Sequence, residues 1–398
     1  MELRVDPVDG LVDELPRIDV TDAPEGRPIE FELSVTDAAG HQWRSRDGEG
    51  AAALFWNMEF VSEEAAPTAF VAPADLLEYR LEARCGDESD AARLIRRWSA
   101  EGVERSEVRG DGFAGALFSP AAARGQGVLV LPGSTGVSAI EPLAALLASH
   151  GHITLAAAYM QEPGLPSALR EIPVEVIGEA LRKLEDIAGP PAVLAASLGT
   201  QGMLAALARG AAAATKAVAI APSSVVWQAL SETGRPPKTA AWSNGGEPLP
   251  WLEMHGERLL PEMVKHALLD RFSRHPRPRA MHMLPAYAPS LGKKDEVERA
   301  SIPVEKIECP LLLLSGEDDQ IWPAAEMGEA IAERRRDAGV GARDRLFAFP
   351  DAGHFLRPPI TPTTVPWTDE LVSGGSAEGN ARAQSEGWNA ILSFLRSP

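Results

Sequence analysis

Two textures of apolar and polar positions divide the chain. Up to about residue 105, apolar residues alternate with polar ones in short runs. Examples are Ile29-Glu30-Phe31-Glu32-Leu33-Ser34-Val35 and Leu77-Glu78-Tyr79-Arg80-Leu81-Glu82-Ala83-Arg84, with turn-formers such as Asp47-Gly48-Glu49-Gly50 between runs. A period of two puts successive side chains on opposite faces of a strand, so residues 1–105 are predicted to form an antiparallel β-sandwich domain. The apolar cluster Leu54-Phe55-Trp56 demands a core and argues against a loose extension. From about residue 106 the runs become continuous: Gly127-Val128-Leu129-Val130-Leu131, Ile153 to Ala157, Ala192 to Ala196, Ala217 to Ile220, Leu311 to Leu314, and Arg345 to Phe349. Strands buried on both faces lose the alternation. Helical patterns, for instance Val174 to Ile187 and Gly202 to Ala212, fall between them. Strands alternating with helices predict an α/β unit over 106–398 built on a doubly wound, mostly parallel sheet. The stretch Trp227 to Ala300 has no strand period and is longer than a connection requires, so about 227–300 is predicted to be a lid insertion.

The chemistry lies at the ends of these runs. Ala195-Ala196-Ser197-Leu198-Gly199 stands where a buried strand meets a helix beginning near Gly199. A sharp strand-to-helix turn needs small residues two before and two after its centre, and it lifts the central side chain above the sheet. The common form is G-x-S-x-G; here Ala195 replaces the first glycine. Taken by itself, Ser197 is equally well a helix N-cap. After Leu311–Leu314 comes Ser315-Gly316-Glu317-Asp318-Asp319-Gln320-Ile321-Trp322-Pro323, where either carboxylate is a candidate acid and the spacing to Gly316 and Pro323 favours Asp319. After the next strand comes Pro350-Asp351-Ala352-Gly353-His354-Phe355. The chain order Ser197, Asp319, His354, each following a strand, is that of the α/β-hydrolase fold. In that arrangement Asp319 orients His354, which takes the Ser197 proton as the hydroxyl attacks an acyl carbon. The oxyanion needs preorganised donors: the Leu198 N–H, and a second from Ser134 or Thr135 in the loop Gly133-Ser134-Thr135-Gly136. No phosphate-cradling G-x-x-x-x-G-K-[ST] is present.

Composition narrows the field. A net charge of −19 argues against sequence-independent nucleic-acid binding, which depends on clustered Lys and Arg. Two cysteines, Cys85 and Cys309, are too few for a disulfide framework. The histidines show no metal-ligand spacing such as H-E-x-x-H, so no metal and no cofactor are expected. The N-terminus carries no signal-like pattern and no run approaches the length of a membrane span, so a cytoplasmic protein without membrane contact is expected.

The whole chain resembles the acyl-CoA thioesterase and bile acid-CoA:amino acid N-acyltransferase family. The resembling segments are Phe55-Trp56-Asn57-Met58-Glu59, Leu155 to Tyr159 with Gly164-Leu165-Pro166, Ala221 to Trp227, Gly246 to Pro250, Gly353 to Pro359, and Gly374 to Ala383. The resemblance implies a β-sandwich joined to an α/β-hydrolase domain. It also implies acyl transfer from a thioester through an acyl-serine, with Ser197, Asp319 and His354 at the positions of nucleophile, acid and base. Serine at the nucleophile tilts this toward hydrolysis, since the family's dedicated conjugating members use Cys. Ala195 and the run Gly199-Thr200-Gln201-Gly202 depart from the family pattern beside the nucleophile.

The expected function is therefore a serine-dependent acyl-thioester hydrolase. The alternatives are an acyltransferase to an amine or alcohol, a carboxylester or amide hydrolase on the same triad, and a binding module that kept the fold. The expected partner is an acyl thioester of CoA or of a carrier protein. Both present phosphate, and on an acidic chain that attraction must be local. The basic run Arg271 to Arg279, with Arg274 and Arg277, is nominated to face it, against the plainer reading of a solvated loop. Tyr159, Trp227, Trp242, Trp251 and Tyr287 are candidates to line the acyl pocket, against the plainer reading that they pack within the lid.

Overall fold

The structure, a computed structural model, describes residues 1–46, 51–61, 69–231, 236–272, 280–356 and 370–397. The N-terminal region holds a six-stranded sheet in the order Asp9–Leu11, Glu88–Arg97, Leu76–Cys85, Glu30–Thr36, Gln42–Arg46, Glu59–Phe60. Every neighbouring pair is antiparallel except the first, which is parallel. Glu2–Asp6 and Arg17–Thr21 form a separate antiparallel pair. The alternation has its expected consequence: Leu77, Tyr79, Leu81 and Ala83 are fully buried, while Glu78 and Arg80 between them face solvent. The cluster Leu54-Phe55-Trp56 lies on a short helix, Ala51–Trp56, with Leu54 and Phe55 in the core.

Eight strands make the second sheet, numbered in chain order: β1 (Glu104–Gly110), β2 (Phe113–Ser119), β3 (Val128–Leu131), β4 (Thr154–Ala158), β5 (Ala192–Ala196), β6 (Ala217–Ile220), β7 (Leu311–Gly316) and β8 (Arg345–Phe349). Their spatial order is β8-β7-β6-β5-β3-β4-β2-β1. β1, β2 and β4 pair antiparallel, and every other neighbouring pair is parallel. This is the α/β-hydrolase sheet. The central strands β3, β5, β6 and the first four residues of β7 are apolar throughout because helices cover both faces.

Alternate residues of each strand feed different cores. Leu129, Val193 and Leu313 share a cluster with Leu181, Leu184 and Met203 of helices Glu175–Ala188 and Leu198–Ala208. Val128, Leu194 and Leu312 share a cluster with Leu146 of helix Glu141–Ser149 and with Trp388 and Ile391 of helix Ala377–Arg396. Leu33, Phe55 and Tyr79 of the N-terminal region belong to that same cluster, so the two regions share one apolar core. A polar tie crosses the join. The Asp13 carboxylate accepts from His150 Nε2 at 2.6 Å and from Trp388 Nε1 at 2.7 Å.

Between β6 and β7 the chain leaves the sheet. It contributes Trp242–Asn244 and Glu247–Pro248 to a small sheet with Ile172–Pro173, then helices Leu260–Phe272, Leu284–Leu291 and Lys294–Ala300. Fully buried Arg335 anchors the return to β7 by donating to the carbonyls of Val304, Ile307 and Cys309 while pairing with Asp344. Among the described residues no helix is long and apolar enough to cross a membrane.

Candidate active site

Ser197 sits between β5 and the helix that begins at Leu198, with φ 52° and ψ −129°. That is a left-handed conformation which a non-glycine residue adopts only when its surroundings enforce it. Here the Ser197 N–H is tied to the Ile220 carbonyl of the adjacent strand, and Thr200 Oγ1 donates to the Ser197 carbonyl at 2.7 Å. The requirement for glycine two residues on is steric. A Cβ at Gly199 would lie 2.1 Å from the Pro132 carbonyl oxygen and 3.2 Å from the Tyr159 hydroxyl. Ala195, in place of the usual first glycine, lies within β5 and is fully buried. Thr200 and Gln201, also fully buried, tie the helix after Ser197 to the loop after β6: Ser223 N–H donates to Thr200 Oγ1 and Trp227 N–H to Gln201 Oε1.

The two candidate carboxylates after β7 do different work. Asp318 is exposed and spends itself on loop structure, accepting from the Gly375 N–H and from Gln320 Nε2. Asp319 is buried; one oxygen accepts from the N–H groups of Ile321 (2.8 Å) and Trp322 (3.2 Å), and the other meets His354 Nδ1 at 2.7 Å. His354 Nε2 lies 2.8 Å from Ser197 Oγ. A carboxylate opposite Nδ1 requires that nitrogen to carry the proton, which leaves Nε2 as the acceptor for the serine hydroxyl. The imidazole is 3% exposed and stands edge-on to Trp322 at 5.6 Å, so water has little access to it.

Four glycines let the loops carrying Asp319 and His354 meet. A Cβ at Gly316 would lie 2.2 Å from the Ala352 carbonyl oxygen, one at Gly353 would lie 2.3 Å from that of Gly374, and one at Gly374 would lie 1.8 Å from that of Asp318. Gly375 completes the crossing, its N–H held by Asp318. Asn380, in the first turn of the last helix, locks it: its Oδ1 accepts from the Gly353 N–H and its Nδ2 donates to the Gly374 carbonyl. Sequence reasoning assigns Gly374–Asn380 no structural role. The available signal is a Gly-Gly pair before a Ser N-cap, and Ser376 does cap that helix through the Gly379 N–H.

The oxyanion candidates adjoin Ser197. Gly133 abuts Ser197, since a Cβ on it would stand 3.1 Å from Ser197 Cβ and 3.6 Å from Oγ. The N–H groups of Leu198, Gly133, Ser134 and Thr135 donate to no other described residue.

The candidate pocket aromatics are mostly enclosed. Tyr159 is buried, with its hydroxyl on the carbonyls of Pro132 (2.6 Å) and Gly133 (2.5 Å) and its ring edge-on to Trp242. Burial pushes its phenol well above the ordinary tyrosine range. Trp242 packs on Gly202, where a Cβ would come within 2.4 Å of the indole. Trp227, Tyr287, Trp322 and His354 form a continuous edge-to-face row, and Trp251 is half-buried against the same core. Arg274 and Arg277 lie outside the described residues. Among the described residues, no group of three or more His, Cys, Asp or Glu is placed to hold a metal ion.

The sheet order, the insertion after β6 and the residues gathered at the sheet's C-terminal rim define an enzyme of the α/β-hydrolase class. Residues 261–397 match the family described as "BAAT / Acyl-CoA thioester hydrolase C terminal". The chain is 26% identical over 388 residues to acyl-coenzyme A thioesterase 6 of Mus musculus, covering 92% of this chain and 83% of the relative. It is 26% identical over 316 residues to acyl-coenzyme A amino acid N-acyltransferase 1 of the same species, covering 77% and 68%. The resemblance to acyl-CoA thioesterases and amino acid N-acyltransferases thus extends over most of the chain. Among solved structures, TT1662 from Thermus thermophilus aligns with 74% of this chain and 99% of its own, at 18% identity and a TM-score of 0.43.

Proposed function

We propose that the protein is a serine-dependent acyl-thioester hydrolase, acting on acyl-CoA or an acyl carrier protein through an acyl-serine intermediate. The observation that carries this is the relay from Asp319 through His354 to Ser197, with contacts of 2.7 and 2.8 Å. Ser197 Oγ attacks the thioester carbonyl while its proton passes to His354 Nε2. The imidazolium is stabilised by Asp319, and the oxyanion is received by the Leu198 N–H and by Ser134 or Thr135. Collapse breaks the C–S bond, and the thiol leaves with the proton from His354. Water, deprotonated by the same nitrogen, then attacks the acyl-serine, and the C–Oγ bond breaks as His354 returns that proton to Ser197 Oγ and the acid is released.

Transfer to an amine or alcohol is the second reading, favoured by the similarity to an N-acyltransferase. The two share every step up to the acyl-serine. The sandwich of residues 1–105 has no chemistry in this scheme, which assigns catalysis to residues 106–398 with the insertion at about 227–300 as its lid. The cytoplasm is the proposed location, supported by two free, buried thiols; cell fractionation checks it.

The test is thiol release from a chain-length panel of acyl-CoA substrates, with products identified by mass spectrometry in water alone and with candidate amines added. Wild type is expected to release thiol and free acid, and Ser197→Ala to release neither. Thiol release by Ser197→Ala at the wild-type rate would end the acyl-serine account, and an amide product would move the protein to the transferase reading.

A further inference from the structure

The segment after β4 places three side chains against the loop that carries the oxyanion candidates. Tyr159 Oη reaches the carbonyls of Pro132 and Gly133. Gln161 Nε2 donates to the Ser134 carbonyl at 3.2 Å. Glu162 Oε1 accepts from the Val137 N–H at 2.8 Å and closes on Gly136, where a Cβ would lie 2.8 Å from it. Three successive carbonyls, 132 to 134, therefore meet donors from this one segment, with the single Tyr159 proton shared between the first two.

A trans peptide points its C=O and its N–H in opposite directions. Holding the carbonyls of Pro132, Gly133 and Ser134 toward Tyr159 and Gln161 turns the N–H groups of Gly133, Ser134 and Thr135 the other way. Those are the N–H groups that donate to no other described residue, and Gly133 is in contact with Ser197. The tyrosine also lies against the nucleophile's own helix, its hydroxyl occupying space that a Cβ at Gly199 would need. One buried phenol, kept protonated by its surroundings, thus touches both halves of the oxyanion site.

We propose that Tyr159 and Glu162, assisted by Gln161, are positioning residues that preorganise the second oxyanion donor by fixing the peptide planes of residues 132–137. This deepens the acyl-serine reading of the site and rests on it. None of the three touches the acyl group; each acts through the backbone it holds. Tyr159 is accordingly assigned to the loop and not to the acyl pocket.

The experiment compares Tyr159→Phe, Glu162→Ala and Glu162→Gln with wild type and Ser197→Ala, on an acyl-CoA that wild type turns over. Tyr159→Phe keeps the ring and removes only the donor; Glu162→Gln keeps an acceptor for the Val137 N–H, and Glu162→Ala does not. Misplaced oxyanion donors lower kcat by about 10–100-fold with little change in KM. Inhibition by a trifluoromethyl ketone thioether, which forms a tetrahedral adduct on the serine, is expected to weaken by the same factor. Binding of the non-hydrolysable thioether ground-state analogue stays unchanged, a split that general loosening of the fold does not produce. Glu162→Gln is expected to restore what Glu162→Ala loses. Wild-type kcat and ketone affinity in both Tyr159→Phe and Glu162→Ala, or failure of Glu162→Gln to restore either, overturns the proposal. Should Tyr159→Phe fail to fold, the Glu162 pair decides. Turnover by Ser197→Ala is a separate result: it removes the acyl-serine reading itself, and the positioning role with it.

Discussion

Gly199 and Pro132 approach so closely that the glycine's missing side chain is a condition of the site: a Cβ would sit 2.1 Å from the proline carbonyl oxygen. The contact joins the helix that follows Ser197 to the loop after β3, proposed to hold the oxyanion, so the separation between Ser197 and Gly133 is fixed by backbone against backbone. Gly199→Ala must push the two apart. A destabilisation of about 1–3 kcal/mol is expected from overpacking, with a fall in kcat larger than that alone explains. Thermal unfolding and steady-state kinetics on the same preparation check it.

The neighbouring carboxylates are expected to separate cleanly. Asp319→Asn leaves the site's shape but removes the charge that sets the His354 tautomer, and in Ser-His-Asp relays such a change lowers kcat by about 10⁴-fold. Asp318→Asn loses part of a loop hydrogen-bond pair, at about 1 kcal/mol of stability, with kcat little affected. Equal losses of kcat in the two variants would contradict this division of labour between the carboxylates.

Gly374 combines a φ of 87° with a Cβ position 1.8 Å from the Asp318 carbonyl oxygen, so no side chain fits. In Gly374→Ala the loop must move, and it carries the residues that hold the Asp319 and His354 loops together. A strong loss of fluorophosphonate labelling at Ser197 is expected while circular dichroism stays native.

The tie at Asp13 carries an acid signature. Burial alone would raise this carboxyl, but hydrogen bonds from His150 and Trp388 outweigh that and hold it below the ordinary aspartate range. A depressed folded-state pKa contributes stability that is complete above the unfolded value of about 3.9 and is lost as pH falls through the folded one. Asp13→Ala is expected to cost about 1.5–3 kcal/mol at pH 7, a difference from wild type that shrinks below about pH 4. Urea unfolding across that range measures it.

Neither cysteine is placed for chemistry. Both are buried and free, and burial pushes the Cys309 thiol up to about 11. The native protein is expected not to react with a thiol reagent at neutral pH, and both sulfhydryls to titrate once it is unfolded. Rapid modification with loss of activity in the folded state would point to a different nucleophile.

Much of this molecule is written in local patterns. The burial of β3, β5, β6 and β7 follows from unbroken apolar runs, and the alternation at Leu77–Arg84 follows from a sheet with one wet face. The order of Ser197, Asp319 and His354 along the chain, each behind a strand, needs no coordinates to notice. Those features depend on periods of two or of 3.6 residues and on what directly follows a strand, which are properties of neighbours in the chain. Which of Asp318 and Asp319 meets the imidazole depends instead on the crossing at Gly353 and Gly374, made by residues more than twenty positions apart. That Tyr159 meets the carbonyls of Pro132 and Gly133 and Gln161 that of Ser134, and that Asp13 couples the first sheet to the last helix, likewise involve no pattern along the chain. A hydrogen bond between distant segments is fixed only when packing brings them together, and that packing is a property of the whole fold.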